Sequence, residues 1–239
     1  MKKKLSILAA VVASAMGAAE PVVHFPLNEG ELDAVKDVVG KTANIRIHNK
    51  EQFSWVDGPS GKALSFNTPD GVKTYAGISF LPPSGFNPAA GFTFTATVKT
   101  PNKLHRNRQY EIFHYSRTHE LGPGVRIYIA WGALNILAGN GKKRFAAASR
   151  QKSEIIIAPN TWYRIAASYD GKTAKVYLNG KLYGQSQGTM LPPSPKSAAF
   201  IGASRIKGAG YGFNGIITDV KIFSKALSDD EIAALKSDE

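Results

Sequence analysis

Basic side chains are concentrated in one stretch of the chain, residues 99–152. This stretch holds eleven Lys and Arg residues against two acidic residues, a net charge of +9, whereas residues 20–98 carry −2 and residues 153–239 carry +2. Arginine presents a planar donor fork that matches a carboxylate or a sulfate. The stretch therefore predicts a surface that recognises anions, and its candidate ligand-binding residues are Arg106, Arg108, Arg117, Arg126, Tyr128, Lys142, Lys143 and Arg144.

Arg126 and Tyr128 are expected to form the centre of this surface. Between residues 125 and 131 they alternate with Val, Ile and Trp, which is the period of a strand with one buried face. The alternation places a donor fork and an aromatic platform together on the opposite face, beside the loop at 103–119. The pair would suit an acidic glycan. The alternative is a solvated basic sheet face that attracts anions without specificity.

Short strands are the elements that must position these residues. Residues 92–98 alternate apolar and Thr side chains, and the chain from residue 162 onward predicts a three-strand meander with turns at Asp170-Gly171 and Asn179-Gly180. A capping box of Ser228 and Glu231 predicts one short C-terminal helix. Further strands are predicted near Ile45 and at 63–66, 75–80, 110–115, 134–137, 154–157, 198–201 and 215–223. The fold class is therefore all-β, an antiparallel sandwich of two sheets.

The first nineteen residues, 1–19, predict a secretory signal peptide. Lysines at 2–4 precede an apolar stretch at 5–13, and small residues end the segment at Ala19. Cleavage there leaves residues 20–239 as one secreted or periplasmic domain. No membrane span is expected after cleavage, since a span needs roughly 20 apolar residues. The chain has no cysteine, which excludes disulfides, thiolate metal sites and a lipid-modified N-terminal Cys.

Four stretches resemble the laminin-G-like, concanavalin A-like jelly-roll family. They are GPSGKALSF at 58–66, FTFTATVKT at 92–100, TWYRIAASYDGKTAKVYLNGKLYG at 161–184 and FIGASRIKGAGYGFNGIITDVKIFSKALSDDEIAAL at 200–235. The resemblance implies a two-sheet antiparallel jelly-roll β-sandwich, in agreement with the alternation. Such folds carry lectins, glycan-binding modules, adhesion modules and glycanases, so the fold alone does not choose the function.

The resemblance also implies a structural Ca²⁺ site in many such domains. The matching residues are Asp37 in the N-terminal loop and Asp219 at the start of the final strand, together with backbone carbonyls. Ca²⁺ accepts six to eight oxygen ligands in loose geometry, which scattered loops can supply. Such an ion would tie the two ends of the chain together. A turn hydrogen bond or a salt bridge to a lysine is the alternative role for Asp219.

The sequence offers weak candidates for catalysis. Retaining hydrolysis needs two carboxylates about 5 Å apart, and relatives place them as Glu-x-Asp-x-x-Glu. The nearest string, beginning at Glu31, has Lys36 where the second Glu is required. A lyase needs a His or Tyr base and an Arg or Asn partner, for which the string at 117–120 supplies only a superficial match. A glycan-active enzyme, lyase or hydrolase, therefore stays open as an alternative.

We expect a secreted binding module without catalysis that recognises carbohydrate with a preference for acidic or sulfated glycans. A protein-interaction or cell-envelope structural module is a further alternative. Nucleic acid is not expected as a partner, because an exported chain would rarely meet it and no nucleic-acid-binding motif is present.

Overall fold

Fifteen strands and one α-helix lie in the residues that the computed structural model describes, 19–68, 73–117, 122–149, 156–204 and 211–235. Their bounds are β1 Val23–Phe25, β2 Ala43–His48, β3 Phe53–Gly58, β4 Gly61–Asn67, β5 Gly77–Leu81, β6 Phe92–Lys99, β7 Tyr110–Ser116, β8 Gly124–Ala130, β9 Ala133–Gly139, β10 Arg144–Ala148, β11 Trp162–Tyr169, β12 Thr173–Leu178, β13 Lys181–Gln187, β14 Ala199–Ile201, β15 Asn214–Phe223 and α1 Asp229–Ala234.

The strands form two antiparallel sheets. The eight-stranded sheet runs in the order β13-β12-β11-β6-β15-β4-β3, with β1 also paired to β15. The seven-stranded sheet runs in the order β10-β9-β8-β7-β14-β5-β2. The all-β, two-sheet prediction is confirmed.

The core lies between the inner faces of the two sheets. Alternation on β6 sends Phe94 inward, where its ring stacks on Phe113 of the seven-stranded sheet with centroids 4.9 Å apart. Phe25 and Phe80, whose rings are tilted by 50°, make a second aromatic contact between the sheets with centroids 5.1 Å apart. Because the largest group of apolar side chains on the strands faces inward, burying the two inner faces against each other favours one register for the paired strands.

The helix α1 packs on the outer face of the eight-stranded sheet. Ser228 is its N-cap and forms the expected capping box with Glu231. Ile232 is buried in a small cluster with Tyr177 and Phe223, separate from the main core. The helix thus covers one end of this outer face, and the part of the face that carries Ser65 of β4, Lys99 of β6 and Ile216 of β15 lies outside that cluster.

The alternating segments are found as strands, and three strands were not predicted. β1, β3 and β10 escaped notice because they are short or lack a clean alternation. The strand predicted at 154–157 is wrong where it can be compared, because Ile156 and Ile157 lie in a loop. The signal peptide at 1–19 lies outside the described residues except for Ala19. Among the described residues, no helix is long and apolar enough to cross a membrane.

Candidate functional site

Arg126 does not face solvent but is paired with Glu111 on the outer face of the seven-stranded sheet. Its Nε donates to Glu111 Oε1 at 3.0 Å and its Nη2 to Oε2 at 2.5 Å, and Nη2 also donates to Gln109 at 2.8 Å. The guanidinium lies 4.8 Å from the ring centroid of Tyr128 and 5.2 Å from that of Tyr211. The donor fork is therefore already engaged by a carboxylate of the chain itself.

His114 completes this buried cluster. Its Nδ1 lies 3.3 Å from Glu111 Oε1 and its Nε2 lies 3.0 Å from the carbonyl of Ser116. Burial alone would raise the pKa of Glu111, but the charge of Arg126 and the hydrogen bonds from His114 and Arg126 hold that pKa below its ordinary value. Glu111 is therefore ionised at neutral pH, and the cluster is a compensated group of buried charges.

Tyr128 shares the outer face with Arg126, as the alternation predicted, but only 5% of its surface is exposed. The sequence prediction took this face to be open, whereas Arg126 is 3% exposed and Glu111 is fully buried. Alternation tells which face a side chain takes and not whether another part of the chain covers that face. As placed, Arg126 and Tyr128 belong to a buried cluster whose members contact one another, and their assignment as ligand-binding residues stays a prediction.

The other predicted basic residues are spread over different parts of the surface. Arg108 is half-buried and its Nη2 donates to the carbonyl of Thr68 at 2.6 Å. Four further cations are exposed, two of them in the turn between β9 and β10. These four are Arg106, Arg117, Lys142 and Lys143. Arg144 begins β10 and is also exposed. The described structure does not gather the eight candidates into one pocket.

A polar groove instead lies on the outer face of the eight-stranded sheet, where β4, β15 and β6 are neighbours. We call it the polar groove; its volume is about 350 Å³. Cross-strand pairing aligns Ser65 with Ile216 and Ile216 with Lys99, so three strands contribute to one floor. Its polar lining includes Ser65, Asn67, Lys99, Lys103, His105 and Asn214, and none of the described lining residues is acidic.

The loop that follows β6 forms one wall of the polar groove and is held at several points. Thr100 Oγ1 donates to the carbonyl of Ala158 at 2.7 Å, and the N–H of Asn160 donates to the carbonyl of Pro101 at 2.9 Å. The buried hydroxyl of Tyr110 donates to the carbonyl of Lys103 at 3.2 Å and accepts from the N–H of His105 at 2.9 Å. These bonds fix the backbone that carries Lys103 and His105 before any ligand arrives.

A second cavity, of about 220 Å³, lies where β15 changes its neighbour from β4 to β1. We call it the junction cavity. A bulge falls here, since β15 pairs with β6 through Thr218 and then resumes at Lys221, and Asp219 between them has a φ of 51°. The side chains that line it include His24, Asn28, Ser60, Thr97, Thr218 and Asp219.

His24 connects the two predicted calcium ligands. Its backbone N–H donates to Asp37 Oδ1 at 2.9 Å, and its Nε2 lies 2.9 Å from Asp219 Oδ1. Burial alone would raise the pKa of Asp219, but the His24 hydrogen bond and the charge of Lys221 lower it. Asp219 is thus an ionised carboxylate that is paired on both sides.

Asp37 does not fit a calcium ion as it is placed. Its Oδ1 accepts from the N–H groups of His24 and Val39, and its Oδ2 accepts from those of Lys41 and Thr42. Four donors use the lone pairs that a carboxylate offers. Among the described residues there is also no group of three or more His, Asp or Glu side chains that could hold a metal ion. The calcium site stays an untested prediction.

The sequence matches one family model over residues 70–233, that of the concanavalin A-like lectin/glucanases superfamily, laminin G type 3. This match covers more than half of the chain. The chain belongs to this superfamily. The resemblance stated from the four sequence stretches is confirmed. No curated protein sequence matches the chain.

Solved structures with a similar fold include the binding domains of several toxins. The binding domain of Paraclostridial Mosquitocidal Protein 1 is 18% identical with a TM-score of 0.67, covering 89% of this chain and 51% of that one. The receptor binding domain of botulinum neurotoxin type G is 15% identical with a TM-score of 0.66, and the match covers 90% of this chain and 50% of that one. A third structure is the ligand binding domain of botulinum neurotoxin serotype D in complex with N-acetylneuraminic acid. It is 14% identical with a TM-score of 0.64, and the match covers 89% of this chain and 49% of that one. This chain spans about half the length of these structures.

Sequence reasoning on this superfamily member missed the polar groove. The groove is lined by residues such as Ser65, Lys99 and Asn214, which are far apart along the chain. One signal was available, because Lys99 continues the polar face of β6 that otherwise holds only Thr side chains. The jelly-roll order of strands, which places β15 between β4 and β6, is what brings these residues together.

Proposed function

We propose that the chain is an exported, non-catalytic module that binds carbohydrate, prefers acidic or sulfated glycans, and does so at the polar groove. The observation that carries this proposal is the lining of the groove. Amide and hydroxyl side chains there can exchange hydrogen bonds with sugar hydroxyls, while Lys99 and Lys103 can pair with a carboxylate or sulfate. The anion-recognising segment predicted from the sequence thus acts through its first residues rather than through Arg126.

The hydrogen-bonded wall and the size of the groove support this proposal, as do the proteins with a related fold. Its wall is hydrogen-bonded to Ala158, Asn160 and Tyr110, so little backbone conformational entropy is lost there when a ligand binds. Its volume of about 350 Å³ lies in the usual range for small-ligand sites. The superfamily and its receptor-binding neighbours, one of them in complex with a sugar acid, add support by analogy of fold.

The contents of the two cavities favour binding over hydrolysis. Retaining and inverting glycosidases act through two carboxylic acids that flank the scissile bond. Of the described residues that line the polar groove and the junction cavity, Asp219 is the one carboxylate, and it is paired with His24 and Lys221. Binding is therefore the function that these cavities support best.

The proposal is tested by calorimetric titration of residues 20–239 with polygalacturonate, heparin and the neutral polymer dextran. We expect the two acidic polymers to bind and dextran to bind at least tenfold more weakly. Lys99→Gln with Lys103→Gln should reduce acidic binding about tenfold, the effect of losing about 1.4 kcal/mol. The titrations with all three polymers should also be carried out with and without Ca²⁺.

The matched control is Lys142→Gln with Lys143→Gln. This variant removes the same number of positive charges from the same basic segment, at exposed positions outside the polar groove. It should change affinity by no more than about twofold, because exposed charges act at a distance and are screened over about 8–10 Å in physiological salt. Equal losses in the two variants would reduce the interaction to nonspecific attraction, and dextran binding as tightly as the acids would contradict the acidic preference.

A further inference from the structure

The polar groove and the junction cavity adjoin on one face of the eight-stranded sheet. On β6, Lys99 lines the groove and Thr97 lines the junction cavity; on β15, Ile216 and Thr218 do the same. Side chains two residues apart on a strand share a face and lie about 6.6–6.8 Å apart. The pairs Lys99 with Ile216 and Thr97 with Thr218 are therefore successive steps of one floor.

The change of partner along β15 extends this floor beyond the groove. β4 pairs with β15 up to Ile217 and β1 pairs with it from Val220, so the bulge at Asp219 falls between the two pairings, where the N–H of Asp219 donates to the carbonyl of Pro26 at 2.8 Å. The turn between β3 and β4 brings Ser60 to the rim of the gap. A non-glycine residue at positive φ costs free energy, and such residues concentrate at ligand sites.

The two cavities differ in charge. The polar groove carries Lys99 and Lys103 with no acidic residue in its described lining. In the junction cavity, Asp219 is paired with Lys221, and the carboxylate is the more exposed of the two, at 22% against 13%. The rest of that lining is largely uncharged, so nothing there attracts a second anion.

We propose that the two cavities are neighbouring subsites for one oligosaccharide, in which an acidic sugar occupies the polar groove and an uncharged sugar occupies the junction cavity. This inference rests on the proposed function and adds the length, order and polarity of the ligand. The hydroxyl and amide groups of Ser60, Thr97 and Asn28 hydrogen-bond to hydroxyls of the uncharged sugar. The charge difference fixes the direction in which the chain lies.

The test compares four probes by titration calorimetry: N-acetylneuraminic acid, sialyllactose, galacturonate and digalacturonate. Sialyllactose links an acidic sugar to uncharged ones, whereas digalacturonate carries two acids. We expect sialyllactose to bind about tenfold more tightly than the monosaccharide, and digalacturonate to gain little over a single galacturonate. Asn28→Ala with Ser60→Ala should remove the gain for sialyllactose and leave the affinity for N-acetylneuraminic acid unchanged.

Both substituted residues are exposed, so the fold should be retained, and Ser224→Ala serves as an exposed control outside both cavities. Equal affinities for the monosaccharide and sialyllactose would overturn the subsite inference while leaving the acidic-glycan function standing. An equal loss for both ligands in the Asn28→Ala, Ser60→Ala variant would overturn it as well. Failure of every acidic probe to bind would instead refute the proposed function, and the inference with it.

Discussion

Arg126 holds Glu111 by two hydrogen bonds on the outer face of the seven-stranded sheet, at 3.0 Å and 2.5 Å. Both side chains are almost completely withdrawn from solvent. The net contribution of such a pair to stability is small, because desolvation offsets attraction. Removing one partner is costly, however, since the other charge is then buried alone.

Glu111→Gln should therefore lower the free energy of unfolding by about 3–5 kcal/mol. Urea denaturation at neutral pH measures this difference. A double variant, Glu111→Leu with Arg126→Met, removes both charges and should recover most of the loss. A single variant as stable as the natural chain would mean that water compensates the charge of Arg126.

The pH dependence of the unfolding free energy should also reflect the ionisation of Glu111. Because Arg126 and His114 lower the pKa of Glu111 in the folded state, its contribution is complete above the ordinary glutamate pKa, about 4.3. That contribution is lost as the pH falls through the lowered folded value. The difference in unfolding free energy between the natural chain and Glu111→Gln should therefore narrow on acidification, and a constant difference would argue against this assignment.

Asp37→Asn should destabilise the fold whether or not calcium is present. The amide loses the charge that accepts four backbone N–H bonds and points its own donors at them, a cost of about 2–4 kcal/mol. Thermal melting in Ca²⁺ and in chelator measures both effects, with the exposed Asp33→Asn as control. A calcium-dependent rise in Tm that vanishes in Asp37→Asn would support the calcium site predicted from the sequence.

Ser228→Ala should cost about 1 kcal/mol of stability, the usual value of an N-cap. Ser228 Oγ accepts from the N–H of Glu231 at 3.1 Å, and Glu231 Oε2 accepts from the N–H of Ser228 at 2.7 Å. Chemical denaturation compares this variant with Ser224→Ala, which lies outside the capping box. A loss no larger than that of the control would indicate that burial of Ile232 alone holds the helix.

Export should remove residues 1–19, so that the mature chain begins at Glu20. The basic start, short apolar stretch and small residues before Ala19 meet the requirement of signal peptidase. Mass spectrometry of the exported protein locates the new N-terminus. Retention of the apolar stretch in the mature form would contradict the prediction.

Local patterns predicted most of the fold because they act over a few residues. The alternation in β6, the Asn179-Gly180 turn and the Ser228 capping box all have local causes, and the structure contains each of them. β3 and β10 escaped because their side chains are of mixed exposure and show no clean period. Their pairing with neighbouring strands decides their structure, and pairing is not visible in a short window.

The sites were harder to predict than the strands, because a site depends on which strands become neighbours. Arg126 was correctly placed on the outer face of β8, but its carboxylate partner comes from β7 and the covering Tyr211 from a distant loop. Lys99 was counted among the basic residues without being recognised as part of a groove. Its partners in the lining, on β4 and β15, follow from strand order alone.

The pairing of β1 with β15 joins strands from opposite ends of the described chain. Val23 lies opposite Ile222, so this contact closes a loop of nearly the whole described chain. A ribosome makes β1 first and its partner almost last, and β1 therefore waits without its partner while the rest of the chain is made. Contacts of such long sequence separation slow folding. We expect folding of this domain to be limited by that final closure, with His24 reaching Asp219 only in the last step.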